Sequence, residues 1–349
     1  MQSVVFFGKN DIRLTESPVP TPGRGDVLLK VLLAGVCATD RHIVEGHFSV
    51  RPPRILGHEI VGVVEAVGPG TAQEWLGKLC GVRPARFCGS CSMCQIGEPQ
   101  LCKNFECLGN TRDGGYAEYT LAQTAQLVHL ENIKPEAAVW LEPLACVLQA
   151  LEKIDVSQKR GPMLILGAGV LGKLMLQVIL STTRAQVAVI DPNANKVAGA
   201  IELGAHTGWT IPRQGTAPET STELLRWAPG GPLVIIDTTG SPEAIQRAID
   251  WASPSGRILL FGVSDPTAML SISPHQIFSK EITLLASSGM SPASFDAAYA
   301  MLRSEQIDPT RLVSLSIGLD DLPAYLLGQA PKQEGKILVR PGFQAEHLK

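Results

Sequence analysis

From residue 163 to residue 263 the chain alternates short apolar runs with longer amphipathic ones, and this rhythm restricts its fold more than any other feature. "PMLILGAG" reads as a short buried strand and "VLGKLMLQVILSTT" as a helix. "QVAVID", "LVIIDTTG" and "GRILLFGV" read as further strands, with "NKVAGAIELG" and "SPEAIQRAIDWAS" as helices between them. Strands joined through helices by short connections lie parallel, because a parallel pair needs a crossover. The predicted architecture is α/β, a doubly wound parallel sheet.

The first strand runs into "LILGAGVLG", which sets Gly167, Gly169 and Gly172 in G-x-G-x-x-G spacing, with Val170 and Leu171 completing the loop. The first glycine permits a tight turn, the second lets backbone approach a pyrophosphate, and the third lets helix pack on strand. The helix N-terminus then offers free N–H groups to the phosphates. Asp191 closes the next strand, at the distance expected for an acid that bonds a ribose diol. An unrelated α/β turn with an N-capping Asp is the alternative; strand, turn, helix, strand and acid in order favour a dinucleotide. Asp191 would repel a 2′-phosphate and no Arg follows it at once, so NAD is expected rather than NADP.

Before residue 150 the pattern differs. "DVLLKVLLAGV", "EIVGVVEAVG" and "YAEYTLA" are β-rich runs broken by Gly and Pro, as in an irregular barrel. "WLEPLACVLQALEKI" reads as a helix leading into the alternating region, and the closing "GKILVRP" reads as a strand of the first part. At 349 residues the chain exceeds one typical core. The expected layout is a β-rich domain over 1–150, a dinucleotide-binding domain over 151–288, and a return to the first domain over 289–349.

"RFCGSCSMCQIGEPQLCKN" places Cys88, Cys91, Cys94 and Cys102 at C-x2-C-x2-C-x7-C spacing. Four thiolates close a tetrahedral coordination sphere and leave no position for substrate, which describes a structural zinc. A bacterial iron–sulfur site would want a Pro after the last Cys, where Lys103 stands. A redox pair would use only two of the four. Cys37, His58 and Glu59, in "GVCATDRHIVEGH" and "ILGHEIVGVV", are the donor types of an open catalytic zinc site, although a lone Cys or His is more often core filler.

Net charge is −3, with Lys and Arg scattered, so no basic stripe serves nucleic acid or an anionic membrane. "PMLILGAGVLGKLMLQVIL" is interrupted by Lys173 and Gln177, which argues against a membrane span, and "MQSVVFFGKNDIRL" lacks signal-peptide features. A soluble cytoplasmic protein is expected, with its eight cysteines serving metal or catalysis rather than disulfides.

"GVCATDRH", "GHEIVGVVEAVG", the four-cysteine lobe, "DGGYAEY", "EPLA" and "GAGVLG" occur in the order seen in the medium-chain, zinc-dependent alcohol dehydrogenases, and the chain resembles that family from about residue 20 to its closing strand. The resemblance implies a Rossmann domain inserted in a GroES-like catalytic domain, two zinc ions and NAD. It implies Cys37 and His58 as catalytic zinc ligands. Glu142 resembles the glutamate ligand of the sorbitol and threonine dehydrogenase branch, and Glu59 would bind the metal or hold its water. Asp40 would orient His58, Thr39 and His42 would relay the alcohol proton to solvent, and Lys196 would contact the adenosine ribose.

The reaction so implied is hydride transfer from a secondary alcohol of a polyol, sugar or cyclitol to NAD. A threonine-type amino alcohol is the close rival. From another class, the rival is a non-catalytic NAD-binding redox sensor with only the structural zinc. Family members pair through the edge strand of the nucleotide domain, implying a homodimer or homotetramer. The chain departs from the family at "GKLCGVRPAR", where the strand entering the lobe carries Cys80. Cys107 and Cys146 have no assigned role and read as small buried hydrophobes.

Overall fold

The computed structural model describes residues 1–156, 161–215, 218–331 and 333–343. Contacts divide the chain into two units: Met1–Ala145 with the chain from Met290 onward, and Cys146–Gly289.

The second unit is built on six parallel strands. Their order across the sheet is Thr207–Thr210, Val187–Asp191, Met163–Leu166, Val234–Asp237, Arg257–Leu260, Thr283–Ala286. The middle strands are buried at every residue, which is why "MLIL" and "VIID" show no alternation. Leu164, Ile190, Ile235 and Ile258 pack with Ile245, Ile249 and Trp251 of the helix Pro242–Trp251. Each such apolar side chain contributes about 1.5–3 kcal/mol by leaving water. The helix Val170–Thr182 buries Leu174, Met175, Val178 and Ile179, a face set by its helical period. The chain order reverses between Met163–Leu166 and Val234–Asp237, and the carboxyl ends at such a switch point are where open α/β sheets take ligands.

The first unit holds a seven-stranded, mostly antiparallel sheet. Leu127–His129, Leu79–Val82, Glu59–Val67, Asp26–Gly35, Lys336–Val339 and Val313–Ile317 are adjacent in that order, and Tyr119–Gln123 also pairs with Asp26–Gly35. Bulges between Leu28 and Leu29 and between Val31 and Leu33 bend the long strand Asp26–Gly35. At its end, Gly35 stands opposite Glu59 on one side and Leu338 on the other. Three segments remote in sequence therefore meet at one point. The cysteine lobe is closed by the short pair Ala85–Arg86 and Glu106–Cys107.

The atypical "GKLCGVRPAR" still forms its strand, Leu79–Val82, paired on both sides. Its Cys80 is fully buried, and burial pushes the thiol up to about 12. Cys107 and Cys146 are half-buried rather than buried, being placed on a two-residue strand and on the helix Leu141–Ile154. No helix among the described residues is long and apolar enough to cross a membrane.

Candidate active site and metal centres

In the lobe, Cys88, Cys91, Cys94 and Cys102 bring their sulfurs within 4.8 Å of one another. Cys91 lies 3.6 Å from Cys94 and 3.9 Å from Cys102, and Cys102 lies 3.5 Å from Cys88. A tetrahedral ion with metal–sulfur bonds of about 2.3 Å has edges of about 3.8 Å, so the four sulfurs fit a zinc ion. The backbone prepares them for it. The N–H of Cys91 donates to the Cys88 sulfur, and the N–H of Cys88 to that of Cys102, each at 3.3 Å. Backbone N–H groups of Ser90 and Cys91, aided by the Ser90 hydroxyl, draw the Cys88 thiol down to about 5.

The second cluster stands at the ends of core strands, with Glu59 buried and Cys37 and His58 half-buried. Cys37 follows the strand that ends at Gly35, while His58 and Glu59 open the strand Glu59–Val67, and their donor atoms also lie within 4.8 Å of one another. Asp40, fully buried, accepts from the Cys37 N–H at 3.0 Å and from the Tyr116 hydroxyl at 2.6 Å, and its Oδ1 lies 3.5 Å from His58 Nδ1. Burial alone would raise the Asp40 carboxyl. The His58 charge and the Tyr116 and Cys37 hydrogen bonds outweigh it, holding the pKa below the ordinary value. Asp40 thereby orients the imidazole through Nδ1 and leaves Nε2 available to a metal.

Sequence reasoning missed the partner of Glu59. Lys336 Nζ, from the C-terminal strand, donates to Glu59 Oε1, and both side chains are almost wholly buried. Burial would lower the Lys336 ammonium, but Glu59 and Cys37 raise it, and the Trp140 ring lies 5.5 Å away. Gly35 makes room for the pair, since a Cβ there would strike both Glu59 Oε2 and the Lys336 stem. Glu59 Oε2 is buried and has no hydrogen-bond partner. A buried carboxylate oxygen is costly unless something satisfies it, and with a thiol and an imidazole beside it the donor set fits a zinc ion. The signal for Lys336 was in the sequence: a lysine inside an apolar strand demands a counter-charge.

Glu142 sits in the first turn of the helix Leu141–Ile154, outside the trio, where its charge acts on Glu59, Lys336 and Cys107. Thr39 and His42 share the helix Ala38–Val44. The Thr39 hydroxyl lies 3.5 Å from the Cys37 sulfur, whereas the His42 ring turns to His47, their Nδ1 atoms 3.4 Å apart.

In the βα unit, Gly167 takes φ +96° after its strand, and Gly169 caps the helix that carries Val170, Leu171 and Gly172. Thr238, missed in the sequence, holds this turn by donating to the carbonyls of Leu166 and Gly167 at 2.9 and 3.0 Å. Asp191 accepts from the Ala168 N–H at 2.9 Å and the Asn193 N–H at 2.8 Å, so it braces the loop it was expected to complement. Asn193 caps the helix Ala194–Glu202, whose first turn holds Lys196.

The family model described as "Alcohol dehydrogenase GroES-like domain" matches residues 23–132, and the "Zinc-binding dehydrogenase" model matches residues 171–304. D-arabinitol dehydrogenase 1 of Uromyces fabae is 30% identical over 342 residues, 98% of this chain and 97% of that one. Among solved structures, a zinc-binding dehydrogenase from Sinorhizobium meliloti 1021 bound to NADP superposes with TM-score 0.90 at 29% identity, covering 97% of this chain and 99% of that one. An Escherichia coli CFT073 alcohol dehydrogenase complexed with NADH gives TM-score 0.88 at 29% identity over the same shares. A GroES-like unit with a Cys–His–Glu cluster and a Rossmann unit with its glycine loop thus lie in one chain that matches such proteins nearly end to end: it belongs to the medium-chain, zinc-dependent alcohol dehydrogenase family and is an oxidoreductase.

Proposed function

We propose that this enzyme oxidises a secondary alcohol of a polyol, sugar or cyclitol, passing hydride to NAD. The observation that carries the reading is the orphaned Glu59 Oε2, buried beside Cys37 and His58. Cys37, His58 and Glu142 would hold a catalytic zinc, with Glu59 as a further ligand or as the holder of its water. Bound there, the metal would supply the Lewis acidity that makes an alcohol hydroxyl easy to deprotonate. The second zinc belongs to Cys88, Cys91, Cys94 and Cys102.

The other residues bind, orient and move protons. Asp40 fixes the His58 ring, and Tyr116 fixes Asp40. Lys336 holds Glu59 by one oxygen and leaves the other for the metal side. Thr39 takes the substrate proton, and His42, half-exposed on the same helix, delivers it to solvent. Gly167, Gly169, Val170, Leu171 and Gly172 receive the pyrophosphate, and Asp191 and Lys196 the adenosine ribose. The Asp191 carboxylate disfavours a 2′-phosphate, hence NAD before NADP. The catalytic domain is the β-rich unit, and the βα unit is the NAD domain. The exposed edge strand Thr283–Ala286 pairs two copies into a dimer or a larger assembly, in the cytoplasm.

A panel of polyols, sugars, cyclitols and threonine, each offered with NAD and with NADP while NADH or NADPH absorbance is followed, tests this reading. Turnover of a polyol, sugar or cyclitol with NAD supports it. Turnover of threonine alone, or with NADP alone, overturns the substrate or the cofactor assignment.

A further inference from the structure

The helix Ala38–Val44 ends in a turn that gathers a third set of donor atoms. Glu45 is its C-cap, Gly46 follows at φ +83°, and His47 brings the chain back. The N–H of His47 donates to the carbonyl of His42 at 2.8 Å, and that of Gly46 to the carbonyl of Ile43 at 3.0 Å. This bond pair is the Schellman ending, which commonly sets a hydrophobic contact between the side chains at the positions of His42 and His47. Here two imidazoles occupy them, with ring centroids 5.7 Å apart and a carboxylate alongside. The turn thus sets the three side chains beside one another.

The spacing is that of a metal site. His42 Nδ1 and His47 Nδ1 are 3.4 Å apart, and Glu45 Oε2 lies 3.8 Å from the first and 3.5 Å from the second. A tetrahedral ion with bonds of about 2.0–2.1 Å has edges of about 3.3–3.4 Å. A proton shared by the two rings would account for the first distance only. The carboxylate oxygen stands at or beyond hydrogen-bond reach of both nitrogens, whereas a single cation would satisfy all three donors. Two imidazoles and a carboxylate suit zinc and its neighbours among the divalent transition metals. The side chains of His42, Glu45 and His47 are 33%, 41% and 45% exposed, so the remaining coordination positions face water.

We propose that His42, Glu45 and His47 form a third, solvent-facing site for a borderline divalent cation such as Zn2+, and that filling it withdraws His42 from proton transfer. The second half rests on the relay role given to His42 above; the site itself does not.

Equilibrium dialysis of the purified enzyme against Zn2+, followed by metal analysis, tests it. The unsubstituted protein should hold one more zinc per chain than either His47→Ala or Glu45→Gln, two changes at half-exposed side chains. Equal zinc content in all three overturns the site. In a parallel titration, Zn2+ should depress turnover of the unsubstituted enzyme and leave that of His47→Ala insensitive to the ion. Extra zinc bound through His47 with turnover undiminished keeps the site and overturns the relay role of His42.

Discussion

The two zinc-type clusters of the β-rich unit are built in opposite ways. The four-cysteine lobe takes all its donors from residues 88 to 102, on short helical turns closed by a two-residue strand pair, and only Cys102 is buried. The Cys37–His58–Glu59 cluster draws on the ends of core strands and depends on a lysine 277 residues from its partner. The first exposes Ile96, Leu101 and Phe105 and has little hydrophobic core of its own, so in the proposed reading a metal would hold it together. The second is held by the sheet and its buried polar network, so a metal bound there, as proposed, would be free to serve chemistry. A ligand set closed by itself is structural, and one completed by the fold can stay open to substrate.

This contrast can be broken by substitution. Cys91→Ser should cost most, because a structural zinc contributes on the order of 10 kcal/mol to the folding of what it clamps; calorimetry should show a large fall in Tm. Lys336→Met should cost about 3–5 kcal/mol by leaving Glu59 uncompensated. That is read by chemical denaturation, with the zinc of the cysteine lobe retained. Tyr116→Phe, which removes the hydroxyl on Asp40, should cost about 1–3 kcal/mol and lower kcat about 10–100-fold through the loosened His58. The smallest effect belongs to a second cation of the C-terminal segment. Arg340 meets Glu136 at 2.8 Å, but both are about one-third exposed or more. Glu136→Gln should cost no more than about 1 kcal/mol. The Arg340 hydrogen bond holds the Glu136 carboxyl below its ordinary value. That contribution is therefore present above the unfolded-chain pKa of about 4.3 and lost as pH falls through the folded value, so the variant and parent should converge in acid.

The same contrast sets what the sequence reveals. Cys88 to Cys102 are legible because a chelate wrapped by one loop leaves its geometry in the spacing. The glycine loop and Asp191 are legible because strand, turn and helix must be contiguous. Cys37 and His58 could be singled out from the sequence as donor types, but neither is distinctive alone, and their role as ligands came only from the family resemblance. Lys336 and Tyr116 act through partners brought to them by sheet register, at separations no spacing encodes. In the βα unit, the strand Thr207–Thr210 and the helix Pro218–Trp227 escaped notice because the first is short and half-exposed and the second is largely polar.

The central claim is that Cys37, His58 and the carboxylates beside them hold the metal at which the alcohol reacts. Metal analysis of Cys37→Ser, paired with turnover and NAD binding, tests it most directly. The account predicts one zinc fewer per chain than in the unsubstituted enzyme, no measurable turnover and NAD affinity nearly intact. A full zinc complement with normal turnover would contradict it.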